Sequence, residues 1–263
     1  MINSTANKAI KEIVALSKKA SLRREKGLFI AEGNKIFSEL SHTDIDRIYI
    51  SEAYFAGMSE ETKTILEKTE YYLVSDRVFK DISDTVSPQG VLAVCKQKKF
   101  ELEDVFKKEN CALLILETMQ DPGNIGTVFR TAEAAGFDAV IMDKNSADIY
   151  NPKVIRSAMG AINRLMHIYT DDLYSSIKRL KEKKVRIYAA HLKGEAYYDE
   201  VSYKGASAFL IGNESRGLSK EISALADELI KIPLHKNVES LNAAVAASVL
   251  MYELERQRRH EHE

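Results

Sequence analysis

Cysteine and long hydrophobic runs are both scarce in this chain of 263 residues. Its two cysteines, Cys95 and Cys111, form no CxxC pair and no cluster with histidine, so we predict no zinc site and no other metal site. No run approaches the roughly 20 apolar residues of a membrane-spanning helix, and the first residues lack the apolar core of a signal peptide. We therefore expect a soluble, reduced, cytoplasmic protein without a membrane partner.

Several motifs of nucleotide and hydrolase chemistry are also missing. The sequence contains no GxGxxG, which disfavours the usual dinucleotide-binding fold, and no GxxxxGK[ST], which excludes a P-loop. It contains no GxSxG, the turn that carries a nucleophilic serine in α/β-hydrolases. The histidines before the terminal segment are scattered, which is typical of surface or capping roles. They are His42, His167, His191 and His235.

The order of apolar and polar segments predicts an α/β protein of two domains. A hydrophobic content of 45% is ample for a core, whereas a net charge of −1 identifies no partner. Residues 1–102 predict a small α/β domain of short helices and strands. Residues 103–263 alternate buried strands with helices, which predicts a parallel sheet covered on both faces. The lysine-rich stretch from Lys96 to Asn110 marks the boundary, which we place near Glu103.

Basic residues are concentrated just before the predicted strand Leu28–Ala31. Such a cluster is usually a solvated surface, but in a nearly neutral chain it also has the charge pattern of a phosphate-backbone contact. The sequence leaves both interpretations open, and the second makes the first domain a candidate for binding nucleic acid. The cluster comprises Lys18, Lys19, Arg23, Arg24 and Lys26.

Three loops of the second domain follow predicted strands and combine glycines with polar side chains. They are Asp121–Gly126, Gly212–Leu218 and Leu234–Leu241. Open α/β sheets bind ligands at the carboxyl ends of their strands, where such loops meet. One such loop could be an ordinary turn, but three together predict a ligand site. Their candidate side chains, and one in the helix that follows the first loop, are Asn124, Arg130, Glu214, Arg216, Ser240 and Asn242.

A helix rich in small residues follows the third loop. Ser240 stands where an N-cap is expected, because its hydroxyl can accept from a free backbone N–H of the first turn. Leu241, Ala244, Val245 and Ser248 recur at helical spacing, which predicts a buried stripe. A plain buried helix would explain this pattern. The SLN segment just before the helix favours a ligand site, because it has two hydrogen-bonding side chains beside one leucine.

Other boundaries are predicted from turn and cap residues. The first loop is expected to lead into a helix that starts at Asn124 or Gly126. NPKVIRSAMGAI is predicted as a single helix with Pro152 near its first turn. The terminal RRHEHE is expected to be disordered.

Three segments of the second half resemble, in order and spacing, the motifs of one enzyme family. NIGTVFRTAEAAGF, FLIGNESRGLS and IPLHKNVESLNAAVAASVL are similar to the three motifs of the SpoU (TrmH-like) RNA 2′-O-ribose methyltransferases of the SPOUT superfamily. The resemblance covers the whole second half. The first half, with REKGLFIAEG, is similar to the small ribosomal-protein-like RNA-binding domain that often precedes it.

The resemblance implies a fold, a cofactor and an assembly. It implies a deep trefoil knot in the C-terminal α/β/α domain, S-adenosylmethionine bound in the knot mostly by backbone groups, and a homodimer with the final helix in the interface. On the matching positions, Gly212, Ile232 and Leu241 should line the adenosine pocket, with Leu210 and Ile211 beside them. Glycine would permit close approach, and the aliphatic side chains could sandwich an adenine.

The resemblance also assigns roles to polar residues. Asn124 and Arg130 should organise the acceptor ribose and its phosphate, Glu214 should brace both, and Ser240 and Asn242 should shape the reacting end. A guanidinium stays protonated in proteins, so we expect Arg130 to clamp phosphate rather than act as a base. One departure is that LHKNVE replaces a segment of the third motif that often contains glycine.

The expected reaction is methyl transfer from S-adenosylmethionine to a ribose 2′-hydroxyl of RNA. The expected substrate is 23S rRNA, with tRNA as the alternative, and the expected RNA contacts are Arg23, Arg24, Lys26 and Arg130. Two rivals remain: a non-catalytic RNA-binding relative, and an enzyme of another class that uses an adenine nucleotide.

Overall fold

The chain divides into two units, which a computed structural model describes from Met1 to His260. The first unit comprises Met1–Lys98 together with Asp148–Asn163. The second comprises Lys99–Ala147 and the residues from Arg164 onward. Both contain helices and strands, so the predicted α/β class is confirmed.

The elements are numbered in chain order. The strands are β1 Leu28–Glu32, β2 Ile45–Ser51, β3 Tyr71–Val74, β4 Val91–Lys96, β5 Ala112–Leu116, β6 Ala139–Asp143, β7 Met166–Thr170, β8 Arg186–Ala190, β9 Ala196–Tyr197, β10 Ser207–Ile211 and β11 Glu228–Lys231. The helices are α1 Lys8–Lys18, α2 Ala20–Lys26, α3 Asn34–Ser38, α4 Glu52–Gly57, α5 Glu60–Leu66, α6 Asp76–Ile82, α7 Leu102–Val105, α8 Pro122–Ala134, α9 Pro152–Ala158, α10 Ala161–Arg164, α11 Leu173–Glu182, α12 Lys220–Ser223 and α13 Ala243–His260.

The second unit is built on a parallel sheet in the order β7-β6-β5-β10-β8-β11-β9. Three of its strands, β5, β6 and β10, read ALLIL, AVIMD and SAFLI and are buried along their whole length. Such uninterrupted runs are typical of parallel strands with both faces covered. The predicted parallel sheet is therefore confirmed.

The order of strands reverses at the centre of this sheet. From β5 the chain moves outward to β6 and β7, and it then builds β8, β10 and β11 on the other side of β5. β10 lies directly beside β5. The carboxyl edge at such a reversal point is where open α/β sheets bind ligands, and the loops after β5 and β10 open there.

The first unit has a four-stranded sheet in the order β1-β4-β2-β3. Only β2 and β3 are parallel. Ile10, Ile13 and Leu16 of α1 are buried in a core against this sheet. The Tyr150 ring packs on Phe29 of β1 with centroids 4.8 Å apart, which explains why Asp148–Asn163 belongs to this unit.

The predicted boundary near residue 103 stays a prediction. A contiguous division into 1–102 and 103–263 does not include the return of Asp148–Asn163 to the first unit. Nothing in the sequence of that segment signals this return. The trefoil knot also stays a prediction.

Three predicted helix boundaries are wrong. The helix after the first loop, α8, starts at Pro122 because Asp121 caps it by accepting from the Asn124 N–H at 2.8 Å. NPKVIRSAMGAI forms two helices, because Met159 and Gly160 adopt left-handed conformations with φ of 50° and 83°. The third error is the helix start expected after Ser240, since α13 begins at Ala243.

Other features differ from expectation at the level of whole elements. α2, α4 and β7 were not predicted, since each is short and weakly periodic. The expected disorder of RRHEHE is wrong for residues 258–260, which continue α13, and the rest of that segment lies outside the described residues.

Along Met1–His260, none of the helices has both the length and the apolar content to cross a membrane. The same residues contain no cluster of His, Cys, Asp or Glu that could hold a metal ion.

Candidate active site

Four loops at the carboxyl edge of the parallel sheet enclose two neighbouring depressions. The first, which we call the apolar cavity, has a volume of about 430 Å³ and lies between the loops after β8, β10 and β11. The second, the polar depression, has a volume of about 700 Å³ and is open to solvent. Four residues border both, namely Glu214, Ser240, Leu241 and Ala243. The two spaces are therefore parts of one continuous site.

The apolar cavity contains most of the residues expected for cofactor binding. Ile211, Gly212, Ile232 and Leu241 all line it. Leu210 does not line it, because successive side chains of β10 point to opposite faces of the sheet, and its role in cofactor binding stays a prediction. Leu210 is fully buried in the core of the second unit.

Gly212 is required by the shape of its own loop. A Cβ at this position would lie 2.2 Å from the carbonyl carbon of Gly217 and 2.2 Å from the amide nitrogen of Leu218. Both neighbours line the apolar cavity. The sequence indicated that this glycine lets a ligand approach, whereas the structure shows that it lets two backbone segments approach each other.

The loop after β10 is a closed hairpin. Asn213 and Gly217 exchange two backbone hydrogen bonds of 3.1 and 2.9 Å, and Gly217 has a φ of 67° that favours glycine. The Asn213 side-chain oxygen accepts from the N–H groups of Ser215 and Arg216. Its amide nitrogen donates to the Thr118 carbonyl at 2.8 Å, which ties the hairpin to the loop after β5.

Glu214 is the hub of the polar depression. Its carboxylate accepts from the Asp121 N–H at 3.0 Å and from the Asn124 side-chain amide at 3.1 Å, with longer contacts to Gln120 and Asn213. Burial by itself would raise the pKa of Glu214, but a bond from its own backbone and the bonds from Asn124, Asp121 and Gln120 together lower it. Glu214 is therefore an ionised acceptor at neutral pH.

Asn242 connects the last helix to this hub. Its side-chain oxygen accepts from the N–H groups of Ala244 and Val245 at 2.9 and 3.2 Å, so Asn242 is the cap of α13. Its amide nitrogen donates to the Asn124 side-chain oxygen at 3.0 Å. The predicted N-cap at Ser240 is wrong, because α13 begins only at Ala243 and its first N–H groups bond Asn242. Ser240 is exposed at the border of both depressions.

The predicted buried stripe of this helix is also partly wrong. Ala244 is buried, but Val245 is 48% exposed, so Val245 lies outside the face of α13 that packs on the core. The buried positions of α13 pack against α8 and β10. They are Ala243, Ala244, Ala247, Leu250, Met251, Glu253 and Leu254.

Arg130 lies two turns along α8 and is exposed. Within the described part of the chain it forms neither a hydrogen bond nor an ion pair. The expectation that Glu214 braces both motif residues therefore holds for Asn124 only. The guanidinium of Arg130 is free to reach an anionic ligand.

The candidate RNA contacts of the first unit differ in accessibility. Arg23 is only 2% exposed, and its guanidinium bonds Asp148 as well as the carbonyls of Leu16 and Ser17. Protein groups thus occupy this guanidinium, so we leave Arg23 out of the RNA surface. Lys26 is exposed but pairs with Glu12, and Arg24 is exposed.

Sequence reasoning missed one wall of the site. His191, Leu192 and Lys193 follow β8 and line the apolar cavity. A signal existed, since the strand before them was predicted and its carboxyl end must lie at the same edge. Asp121 and Asn213 were also missed, although an aspartate before Pro122 is a recognisable cap.

Two family models match the chain. The SpoU rRNA Methylase family matches residues 112–252, a range that includes both depressions. The MRM3-like substrate binding domain matches residues 7–93, which lie in the first unit.

The similarity to several known proteins covers almost the whole chain. The Bacillus subtilis (strain 168) protein named 23S rRNA (guanosine(2553)-2′-O)-methyltransferase RlmP is 31% identical over 96% of this chain and 98% of its own length. The AdoMet-bound rRNA methyltransferase from Sinorhizobium meliloti has 27% identity and a TM-score of 0.84, covering 98% of this chain and 97% of that one. The SpoU methyltransferase AviRb from Streptomyces viridochromogenes has 25% identity and a TM-score of 0.86, covering 97% and 99%. With family model, relatives and fold in agreement, this chain belongs to the SpoU rRNA methylase family.

Proposed function

We propose that this S-adenosylmethionine-dependent RNA methyltransferase transfers a methyl group to a ribose 2′-hydroxyl of 23S rRNA. The observation that carries the proposal is the polar depression formed by Asn124, Glu214 and Asn242, which opens directly into the apolar cavity. A hydroxyl held in the polar depression would face a cofactor held in the apolar cavity. The 23S rRNA substrate is proposed from the similarity to the RlmP relative.

The apolar cavity fits the cofactor that the family implies. Its volume of about 430 Å³ lies within the range of roughly 300–1,000 Å³ typical of small-ligand sites. Ile211, Ile232 and Leu241 offer aliphatic surface for a flat ring, and the Gly212–Leu218 backbone passes along one wall. S-adenosylmethionine, when bound, supplies an activated methyl group, so the protein's task is to align the acceptor hydroxyl.

The polar residues are suited to that alignment. Asn124 has two amide hydrogens, and within the described chain Glu214 takes one of them, which leaves the other for a ribose oxygen. Glu214 and Asn242 fix the Asn124 side chain from its two ends. Ser240 adds a hydroxyl at the junction of the two spaces, and the free guanidinium of Arg130 would clamp the RNA phosphate.

The first unit supplies the remaining RNA contacts in this proposal. It matches a substrate-binding family model, and its α1–α2 corner presents exposed basic residues. Lys18, Lys19 and Arg24 form this corner, with the Glu12-paired Lys26 beside them. Phosphate contacts of this kind position an RNA without reading its sequence.

We also place the enzyme in the cytoplasm as a homodimer, with a knotted second unit. Val245 and Tyr252 lie seven residues apart on one face of α13 and are 48% and 50% exposed. Residues at this spacing share a helix face, and a second copy would cover them. The cytoplasm is where bacterial ribosomes, the source of the proposed substrate, are assembled.

The test is transfer of labelled methyl from S-adenosylmethionine to purified 23S rRNA, with mapping of alkali-resistant linkages in the product. We expect one or a few 2′-O-methylated positions. A Gly212→Trp variant, whose side chain cannot fit beside Gly217, should bind no S-adenosylhomocysteine and transfer nothing. Methylation of tRNA in place of rRNA would overturn the substrate, and cofactor binding without transfer to any RNA would overturn the reaction.

A further inference from the structure

We propose that Asp143, at the carboxyl end of β6, is a positioning residue for the acceptor side of the active site. Asp143 lines neither the apolar cavity nor the polar depression. It acts through the loop after β5, whose backbone N–H groups donate to the Glu214 carboxylate. This inference rests on the proposed function, since it concerns the same reaction.

The Asp143 carboxylate is buried and accepts four hydrogen bonds from two loops. Its Oδ1 accepts from the Thr118 N–H at 3.0 Å and from the N–H and hydroxyl of Ser146 at 2.9 and 2.8 Å. Its Oδ2 accepts from the Thr118 hydroxyl at 2.6 Å. Ser146 in turn accepts from the Met119 N–H at 3.1 Å. A single buried group thus holds the start of the loop after β5.

Thr118 needs such a restraint because its backbone is strained. Its φ is 54°, in the left-handed region where a β-branched side chain crowds the backbone. Strained residues persist only where the surrounding structure holds them, and they concentrate at functional sites. The two bonds from Thr118 to Asp143 provide that hold.

The strained conformation directs the Thr118 carbonyl toward Asn213, whose side-chain amide donates to it at 2.8 Å. Asn213 directly precedes Glu214, and Glu214 receives the Asp121 N–H and the Asn124 amide. Relaxation of Thr118 would turn its carbonyl away from Asn213 and let both loops shift. A misplacement of about 1 Å at a reacting centre can cost about 100-fold in rate.

The cofactor side should be much less sensitive. The hairpin from Asn213 to Gly217 is closed by its own two backbone bonds of 3.1 and 2.9 Å, which do not involve Asp143. Loss of Asp143 should therefore lower turnover far more than cofactor affinity. A general loss of stability would instead affect both.

Asp138 provides a matched control. Its carboxylate accepts from the Ala112 N–H at 2.8 Å and pairs with Lys108. It therefore makes the same kind of bond, from a backbone N–H to a carboxylate, at the start of β5, whereas Asp143 makes it to the loop after β5. Asp138→Ala should cost stability without moving the loop after β5.

The test compares Asp143→Ala with Asp138→Ala in the full chain. We expect Asp143→Ala to lower kcat on 23S rRNA at least about tenfold, since alignment is lost, while the Kd for S-adenosylhomocysteine changes less than about threefold. Amide exchange of Asp121, the donor to Glu214, should become faster in Asp143→Ala only. An unchanged kcat, or losses in the two variants that follow their melting temperatures alike, would overturn the proposal.

A second pair of variants carries the test if Asp143→Ala does not fold. Thr118→Ser keeps the hydroxyl that Asp143 accepts, whereas Thr118→Ala removes it. We expect Thr118→Ser to keep near-normal kcat and Thr118→Ala to lose it, and equal activity of the two would overturn the proposal. The amide exchange of Asp121 decides the role of Asp143 even if the wild type methylates no RNA, so that failure of the proposed function is recognised separately.

Discussion

The side-chain amide of Asn242 donates to Oδ1 of Asn124 at 3.0 Å and so joins the end of the third loop to α8. The cap of α13 fixes which end of Asn242 does this, because its oxygen is already taken by two backbone N–H groups. Asn124 must then accept with its oxygen and donate with its nitrogen to Glu214. One helix cap thus sets the orientation of the residue expected to hold the acceptor ribose.

Substitution of Asn242 should separate its two roles. Asn242→Asp keeps an oxygen that can cap α13 but removes the donor to Asn124, so we expect near-normal stability with strongly reduced methyl transfer. Asn242→Ala removes both and should also destabilise the protein by about 1 kcal/mol, the usual value of an N-cap. Thermal unfolding and a transfer assay on the same preparations measure the two effects. If Asn242→Asp were fully active, the link from Asn242 to Asn124 would have no role in catalysis.

Replacement of Glu214 by glutamine should change the dependence of stability on pH. The pKa of Glu214 is lowered from its ordinary value of 4.5, so its charged form favours the folded state at pH values above 4.5. That contribution is lost as the pH falls through the lowered folded-state pKa. We therefore expect wild type and Glu214→Gln to differ in melting temperature at neutral pH and to converge in acid. A constant difference across this range would contradict the prediction.

The Gly212 position should tolerate no side chain. Gly212→Ala places a methyl group 2.2 Å from backbone atoms of the same loop, which must open to make room. We expect binding of S-adenosylhomocysteine to fall at least about tenfold, or by about 1.4 kcal/mol. Gly57→Ala is the control, because its added Cβ meets nothing within 4 Å. Calorimetric titration of both variants makes the comparison, and equal affinities would show that the hairpin is more pliable than its packing implies.

The parallel sheet and its ligand edge could be predicted because both depend on short-range patterns. The runs at β5, β6 and β10 are apolar except for Asp143 and Ser207 at their ends, and the loops that follow two of them contain glycine close to Asn124 or Glu214. Such signals need no knowledge of distant contacts. The positions of these loops at one edge then follow from parallel strand order.

The failures depend on contacts between residues far apart in the sequence. Arg23 looks like its neighbours in a basic segment, and only its pairing with Asp148, 125 residues away, makes it buried. Ser240 and Asn242 are both residue types that cap helices well. The residue that does cap α13, Asn242, also bonds Asn124, 118 residues away in the sequence.

Arg130 should act on RNA alone. It is exposed and unbonded within the described chain, so Arg130→Ala should leave the melting temperature and the affinity for S-adenosylhomocysteine unchanged. We expect methyl transfer to fall by at least about tenfold through loss of the clamp. RNA binding should also lose about one unit of its slope in a plot of log affinity against log salt, since one phosphate contact is removed. Full activity of Arg130→Ala would remove Arg130 from the site.

Two adjacent arginines should give opposite results. Arg23→Ala leaves the half-buried Asp148 carboxylate without its partner, and breaking a buried pair in this way costs about 3–5 kcal/mol at the upper end. Arg24→Ala removes an exposed charge and should change the free energy of unfolding by less than about 0.5 kcal/mol. RNA affinity at low salt should fall in Arg24→Ala because a phosphate contact is lost. Chemical denaturation and filter binding measure the two quantities. If Arg24→Ala binds RNA as wild type does, the α1–α2 corner is a solvated surface and the RNA contacts of the first unit lie elsewhere.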